Sequence, residues 1–391
     1  MKIAVVAPTH LPARRANTLQ VMKMSQALAM QGHSVYLAVP GLMGSGRATT
    51  WPELARHYGL QHAFSIDWLP ASPRLRRYDF GWQAVRWARR CQADLLYTRL
   101  PQAAAIASQM GIPAILEVHD LPQGRLGPWV FRRFLKGRGA RRLVVITRAL
   151  AEDLSRQFGA PTQPPFTLIA PDGVDLDRFD NLPGPETARQ ALLSDPTWCN
   201  REEAGKLPAG RFTAGYTGNL YPGRGVELLF GLAERLPEMT FLLAGGEPQE
   251  VARRQAQASA LGLNNLVLAG FIPNAELPRY QAACDVLLMP YQRQVAASSG
   301  GDIARYLSPM KLFEYLACGR PILSSNLAVL QEVLTSENAM LLPPDDLNAW
   351  ELALRELLGD PARRSRLASQ ARRAASGYTW EARAKRVLEG L

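Results

Sequence analysis

Apolar residues in this chain gather in short saturated runs separated by amphipathic stretches. KIAVVAP, HSVYLAVP, DLLY at 94–97, IPAILEV, LVVI and FTLIA read as buried strands. Between them the 3.6-residue period predicts a helix opened by Asn17, with Gln20 reaching back as a capping box and Gly32 as the stop. Further helices are expected over 51–59, 81–91, 101–110 and 147–158. Periodicity lapses over 181–208, which reads as a link. A second alternation then runs through the strands RFTAGYTG, TFLLAG, NLVLAG and DVLLMP. Its helices are VELLFGLAERL, 248–261, 275–283, 345–358 and 361–375, followed by a last helical segment with Trp380 and Val387 on one face. Two such alternations in 391 residues predict an α/β chain of two Rossmann-like, doubly wound domains.

Candidate chemistry concentrates in SPMKLFEYLACGRPILSS, residues 308–325. Ser308 is a candidate cap, Pro309 suits a first turn, and Gly319 with Pro321 ends the helix before the strand PILSS. Amides in a first helical turn lack intrahelical partners and attract anions, and Lys311 sits in that turn. Glu314 lies three residues on, while Leu312, Phe313, Leu316 and Ala317 form the buried side. A cation beside free amides, with a carboxylate one turn deeper, suits the two ends of a nucleotide diphosphate. An exposed ion pair on an ordinary helix has the same spacing. Two glycine turns shift the balance: YTGNLYPGRG with Arg224, and AGGEPQE at the next strand end. No DxD pair or His/Cys cluster accompanies them, so arginine, lysine and helix amides are left to neutralise a leaving diphosphate, and no metal is expected.

Composition adds direction. Through residue 165 there are 22 Lys and Arg against 8 Asp and Glu, and beyond it 23 against 26, so the net charge of +11 arises in the first half. Such asymmetry points to an anionic partner. The four cysteines form no CxxC pair and read as buried thiols of a reducing compartment. No apolar run has the length of a membrane span and no signal-type core follows the first strand, which leads to a cytoplasmic expectation. The first loop lacks GxGxxG, so a dinucleotide-dependent dehydrogenase is a poor fit and no cofactor is expected.

In order along the chain, PDGVDLDRF at 171–179, YTGNLYPGRGVELL and SPMKLFEYLACGRPILSS resemble three signatures of the retaining glycosyltransferases of family 4. The resemblance covers nearly the whole length and implies the GT-B fold, two Rossmann-like domains facing a central cleft. The acceptor domain would span 1–180, with the helix at 378–391 packing back on it, and the donor domain 209–377. Lys311 and Arg224, the latter in place of a usual lysine, would hold the donor diphosphate, and Glu314 the ribose hydroxyls. Backbone at Phe271 and Ile272 would meet the base. Gly218, Asn219, Gly245 and Gly246, with Ser308, Met310 and Leu312 at the helix start, complete the donor set. His119, following the strand IPAILEV, would hydrogen-bond the transferred sugar and act with Arg224 and Lys311 in catalysis; Arg99 is a similar candidate. The family often carries two glutamates separated by seven residues. Here Tyr306 stands eight positions before Glu314, and Asp302 is the candidate substitute for the lost carboxylate.

The implied reaction moves a sugar from a nucleotide diphosphate sugar to a glycan or lipid-linked acceptor. Trp82, Arg86, Trp87, Arg89, Arg90 and the aromatic and arginine-rich segment 128–142 suggest an anionic membrane surface as partner, placing the protein at the inner face of the membrane. A nucleotide-sugar epimerase of the same architecture is the nearest alternative, but few carboxylates in the first half are available as its acid and base. A basic nucleic-acid-binding protein fits less well, because no RNP, KH or helix-turn-helix pattern is present.

Overall fold

The computed structural model describes residues 1–41, 50–72, 75, 77–199, 205–296 and 301–391. The first alternation comprises β1 (Lys2–Val6), α1 (Ala16–Met30), β2 (Ser34–Pro40), α2 (Trp51–Tyr58), β3 (Ser65–Leu69), α3 (Tyr78–Arg90) and β4 (Leu95–Thr98). It continues with α4 (Pro101–Gln109), β5 (Ala114–Val118), α5 (Gly127–Leu135), β6 (Ala140–Val145), α6 (Arg148–Phe158) and β7 (Thr167–Ile169). Next come α7 (Pro185–Leu193), α8 (Pro196–Cys199), β8 (Thr213–Thr217), α9 (Val226–Arg235), β9 (Thr240–Ala244), α10 (Pro248–Ala260) and β10 (Leu266–Gly270). The chain closes with α11 (Leu277–Ala282), β11 (Val286–Met289), α12 (Met310–Cys318), β12 (Ile322–Ser325), β13 (Met340–Leu342), α13 (Leu347–Gly359), α14 (Pro361–Ala375) and α15 (Trp380–Leu388).

These elements form two compact units, Met1–Asp172 with Trp380–Leu391, and Gly173–Thr379. Each is built on a sheet whose strands pair in parallel, in the order β3-β2-β1-β4-β5-β6-β7 in the first and β10-β9-β8-β11-β12-β13 in the second. Strands such as β5, β8 and β9 are buried at every position, as expected where helices cover both faces of a parallel sheet. Both orders reverse direction once, at β1/β4 and at β8/β11, the positions where doubly wound sheets open a crevice beyond their carboxyl ends.

Helix α15 lies against α1 in the first unit. Arg142 of β6 ties its end, donating from Nη1 to the Val387 carbonyl at 2.5 Å and from Nη2 to that of Glu389 at 2.7 Å. A cation thus satisfies carbonyls that a helix C-terminus leaves open.

Several local expectations change. Arg15, not Asn17, occupies the cap position of α1, and no side-chain cap bond forms there. Gln20 does not reach back because its amide donates to the buried Glu117 carboxylate at 2.7 Å, a stronger charge-assisted bond. In α12 the cap position falls on Pro309, again without a side-chain bond from Ser308, while Gly319 closes the helix in the left-handed conformation at φ 63°. Trp87 is buried and donates its indole N–H to Asp67 Oδ2 at 3.1 Å, which removes it from the basic exposed face. The strands β3 and β13 escape sequence reading because they are short edge strands with mixed exposure.

The stretch 181–208, read as a link, contains α7 and α8 within the second unit. Its composition is polar because short helices on a surface need few anchors, and here Leu192 and Trp198 provide them. The Trp198 ring meets Tyr280 edge-on at 5.6 Å. Arg189 ties α7 to Asp285 at 2.8 Å. Replacing Trp198 with alanine should lower unfolding free energy in urea by about 3–5 kcal/mol, the cost of an unfilled aromatic site; a change below about 1 kcal/mol would show that this segment lies outside the cooperative core.

Candidate functional site

In the second unit the reversal of strand order sets the carboxyl ends of β8 and β11 side by side, with α12 returning after β11. The Gly218 amide donates to the Ala244 carbonyl at 2.8 Å and the Gly245 amide to that of Gly270 at 2.7 Å, which stitches together the turns after β8, β9 and β10. Gly218 has φ 137°, and a Cβ there would stand 2.6 Å from Lys311 Nζ. Gly245 has φ 129°, and its Cβ would stand 2.2 Å from the Gly218 carbonyl oxygen. Only glycine admits a lysine amine this close to the backbone.

The Lys311 amine lies 3.6 Å from the centroid of the Tyr216 ring and 5.5 Å from that of Tyr291. The Arg224 guanidinium covers the other ring contact, 5.1 Å from the Tyr291 centroid. Lys311 Nζ and Arg224 Nε are buried atoms without hydrogen-bond partners among the described residues, while the Arg224 guanidinium bonds to the Tyr291 hydroxyl. Burial, then the Arg224 charge, pushes Lys311 well below the usual lysine range, with Glu314 pulling the other way. An unpartnered lysine amine beside a guanidinium with a free Nε–H forms a site suited to an anion with several oxygens.

Glu314 is only 8% exposed, so the surface ion pair is excluded. Its Oε1 accepts from Asn274 Nδ2 and its Oε2 from Gln281 Nε2, each at 3.1 Å. Of the remaining candidates in this unit, Asn219 contributes a carbonyl that accepts from Tyr216 Oη at 2.6 Å. Gly246 follows Gly245 with φ 94°. Ser308, Met310 and Phe271 are half-buried, while Ile272 and Leu312 turn into the core, leaving backbone groups for contact. Tyr306 is buried, its amide donating to Ile303 at 2.9 Å. Asp302 Oδ1 accepts from the Val295 and Ala304 amides at 2.8 and 2.9 Å, so this carboxylate braces its own loop.

His119 and Arg99 belong to a second polar cluster, in the first unit. Glu117 Oε1, fully buried, accepts from His119 Nε2 at 2.5 Å, Gln20 Nε2 at 2.7 Å and Arg383 Nη2 at 2.9 Å. Burial opposes the Glu117 charge, but Arg383 and the His119 bond outweigh it and hold the carboxyl below its usual range. An ionised carboxylate only accepts, so His119 carries its proton on Nε2 and presents Nδ1 as an acceptor. Burial and the Arg99 charge push His119 down to about 4, which keeps the ring neutral near pH 7. Arg99 donates to Gln20 Oε1 at 3.1 Å. Burial pushes Asp172 up to about 7. Ligand atoms of Glu117, His119 and Asp172 lie within 4.8 Å of one another, the spacing of a metal group. Arg383 donates to Glu117, and Arg99 carries a second positive charge beside Asp172.

Sequence reading missed Tyr216 and Tyr291, the rings around the cations, and Asn274 and Gln281, the donors to Glu314. In the first unit it missed Glu117, Asp172 and Arg383. The available signal was position, since Tyr216 and Glu117 stand at strand ends like the residues that were found.

Two doubly wound sheets in one chain are the GT-B architecture. HepE of Anabaena, solved with UDP, superposes with a TM-score of 0.73 at 17% identity over 100% of this chain and 99% of its own. Sequence profiles described as "Glycosyltransferase Family 4" and "Glycosyl transferases group 1" match residues 19–178 and 211–360. The chain belongs to this family. A D-inositol 3-phosphate glycosyltransferase of Xylanimonas cellulosilytica is 32% identical over 254 residues, 63% of this chain and 55% of that protein. A 2-deoxystreptamine glucosyltransferase of Streptomyces kanamyceticus is 26% identical over 382 residues, 88% and 90% of the respective chains. The chain spans about half the length of the first of these curated relatives.

Because an anion would restore the Lys311 charge, its binding should take up a proton. Affinity for inorganic pyrophosphate is expected to fall as pH rises through the depressed Lys311 value, with buffer-dependent heats in titration calorimetry, and Lys311→Met should abolish this dependence. Identical proton uptake in wild type and Lys311→Met would refute the assignment.

Proposed function

We propose that the protein transfers a sugar from a nucleotide diphosphate sugar to an acceptor hydroxyl, with retention at the anomeric carbon and without a metal ion. The observation that carries this reading is the buried, unpartnered Lys311 amine beside Arg224 at the β8/β11 reversal, with the Glu314 carboxylate one turn deeper on α12. In this reading Lys311, Arg224, the Gly218 turn and the first amides of α12 hold the diphosphate. Glu314 holds the ribose, and backbone at Phe271 and Ile272 meets the base. As the sugar–phosphate bond breaks, charge grows on the departing phosphate oxygen and the two cations stabilise it. The acceptor oxygen attacks the same face, and its proton passes to that oxygen. His119, kept neutral by burial and the Arg99 charge and oriented by Glu117, accepts a hydrogen bond from a hydroxyl of the transferred sugar at Nδ1.

Lys311→Met and Glu314→Gln should each raise the KM for the nucleotide sugar at least about tenfold, and chelators should leave turnover intact. Unchanged kinetics in both variants would remove the site assignment. Donor incubated without acceptor should yield no epimer, which separates this reading from the epimerase alternative.

A membrane surface as partner is supported by a separate feature. No helix among the described residues is long and apolar enough to cross a membrane. Trp82, in the second turn of α3, and Trp129, in the first turn of α5, are 46% and 55% exposed, and Leu126 beside Trp129 is 56% exposed. Gly81 packs its backbone against Gln102 and Ala103 at the start of α4, while Gly137 meets Ser108 near its end, so the three helices run parallel with first turns at one edge. Arg86, Arg125, Arg132 and Arg133 surround these side chains with exposed positive charge. We propose that this edge rests on anionic lipid, aromatics in the interface and arginines on headgroups. Co-sedimentation with phosphatidylglycerol vesicles should fall at least about fivefold in a Trp82→Ser, Trp129→Ser variant; equal binding to neutral vesicles would end the proposal.

A further inference from the structure

Among the described residues both hydrogen-bond donors to Glu314 are amides, and the guanidinium of its network stops one residue short of it. Arg178 Nη1 donates to Asn274 Oδ1 at 2.7 Å, and its Nη2 donates to the Asn274 carbonyl. Because a guanidinium only donates, the Asn274 amide cannot turn over, and its Nδ2 must face Glu314 Oε1. The Arg178 charge is met by Asp175 Oδ2, 3.8 Å away. On the other side Gln281 Nε2 donates both to Glu314 Oε2 at 3.1 Å and to Thr217 Oγ1 at 3.2 Å. Each carboxylate oxygen thus holds one fixed donor and keeps acceptor capacity in one direction. With an acceptor left on each of its two oxygens, the carboxylate can take one hydrogen bond from each of two neighbouring hydroxyls.

We propose that Arg178 and Asn274 are positioning residues that make Glu314 selective for the ribose diol of a nucleoside diphosphate, so that the 2′-deoxy form is rejected. This rests on the reading of Glu314 as the ribose contact given above. A rigid carboxylate that loses one of two hydroxyl partners retains an unpaired buried acceptor, and such a site discriminates strongly. Asn274→Asp keeps the grip of Arg178 but turns a carboxylate oxygen toward Glu314, which repels it from its place.

The experiment compares UDP, ADP and GDP with their 2′-deoxy counterparts by calorimetry, in wild type, Glu314→Gln, Asn274→Asp and Arg178→Lys, with melting temperatures checked for each. Wild type should prefer the ribose form of whichever nucleotide binds by at least about tenfold. Asn274→Asp and Arg178→Lys should reduce that preference to below about threefold while the 2′-deoxy affinity stays within about threefold of wild type. Equal losses for both sugar forms would mean a structural role only and would overturn the proposal. So would a preference abolished in Glu314→Gln but intact in the two positioning variants, which leaves the ribose reading standing. If none of the six nucleotides binds, or wild type shows no ribose preference, the reading of Glu314 falls first and the proposal with it.

Discussion

The second unit depends on the desolvation of one ammonium group. Lys311 Nζ sits over the face of Tyr216 with no hydrogen-bond partner among the described residues. Ring attraction returns on the order of 2 kcal/mol to a desolvated cation, less than the hydration it loses. Everything near it is compatible with that imbalance: glycine at 218 leaves room, glycine at 245 lets the neighbouring turn stack, and Arg224 adds repulsion instead of relief. Such a site gains more from an incoming anion than a pair of solvated surface cations would, because the ligand replaces water that is already gone.

How much of this was legible in the sequence follows from what each element needs. Parallel strands buried on both faces appear as unbroken apolar runs, so β1, β5, β8, β9 and β11 could be read directly. The edge strands β3 and β13 have no such run. Trp87 looked like a surface aromatic because its neighbours are arginines, but its indole partner, Asp67, comes from the strand β3. Lys311 and Glu314 were found because a helix start fixes their spacing. Their environment was not, since Asn274, Gln281 and Tyr291 approach from other elements. Tertiary partners of a short motif carry no periodic signature.

The stretch PDGVDLDRF deserves its place in the resemblance for a physical reason. Asp172, its second residue, belongs to the cluster around Glu117 and His119, and Arg178, six positions later, grips Asn274 beside Glu314. One short segment therefore supplies a charged side chain to each of two buried polar clusters. Its spacing is constrained at one end by the Arg178 hydrogen bonds to Asn274 and at the other by the packing of Asp172 among buried charges.

Arg383 extends that logic to the far end of the chain. It lies 266 residues from Glu117 in sequence and supplies the charge that keeps this buried carboxylate ionised. Helix α15 is thus a counter-ion delivered on a peptide, held in place by Arg142 at its last carbonyls. Cutting the chain before Trp380 would remove the buried Trp380 and Val387 together with the counter-ion of Glu117, and a Glu117 that took up a proton in response could donate as well as accept, which would release the His119 tautomer. For anyone building shortened or fused forms, the final helix has to be treated as part of the first unit's interior chemistry.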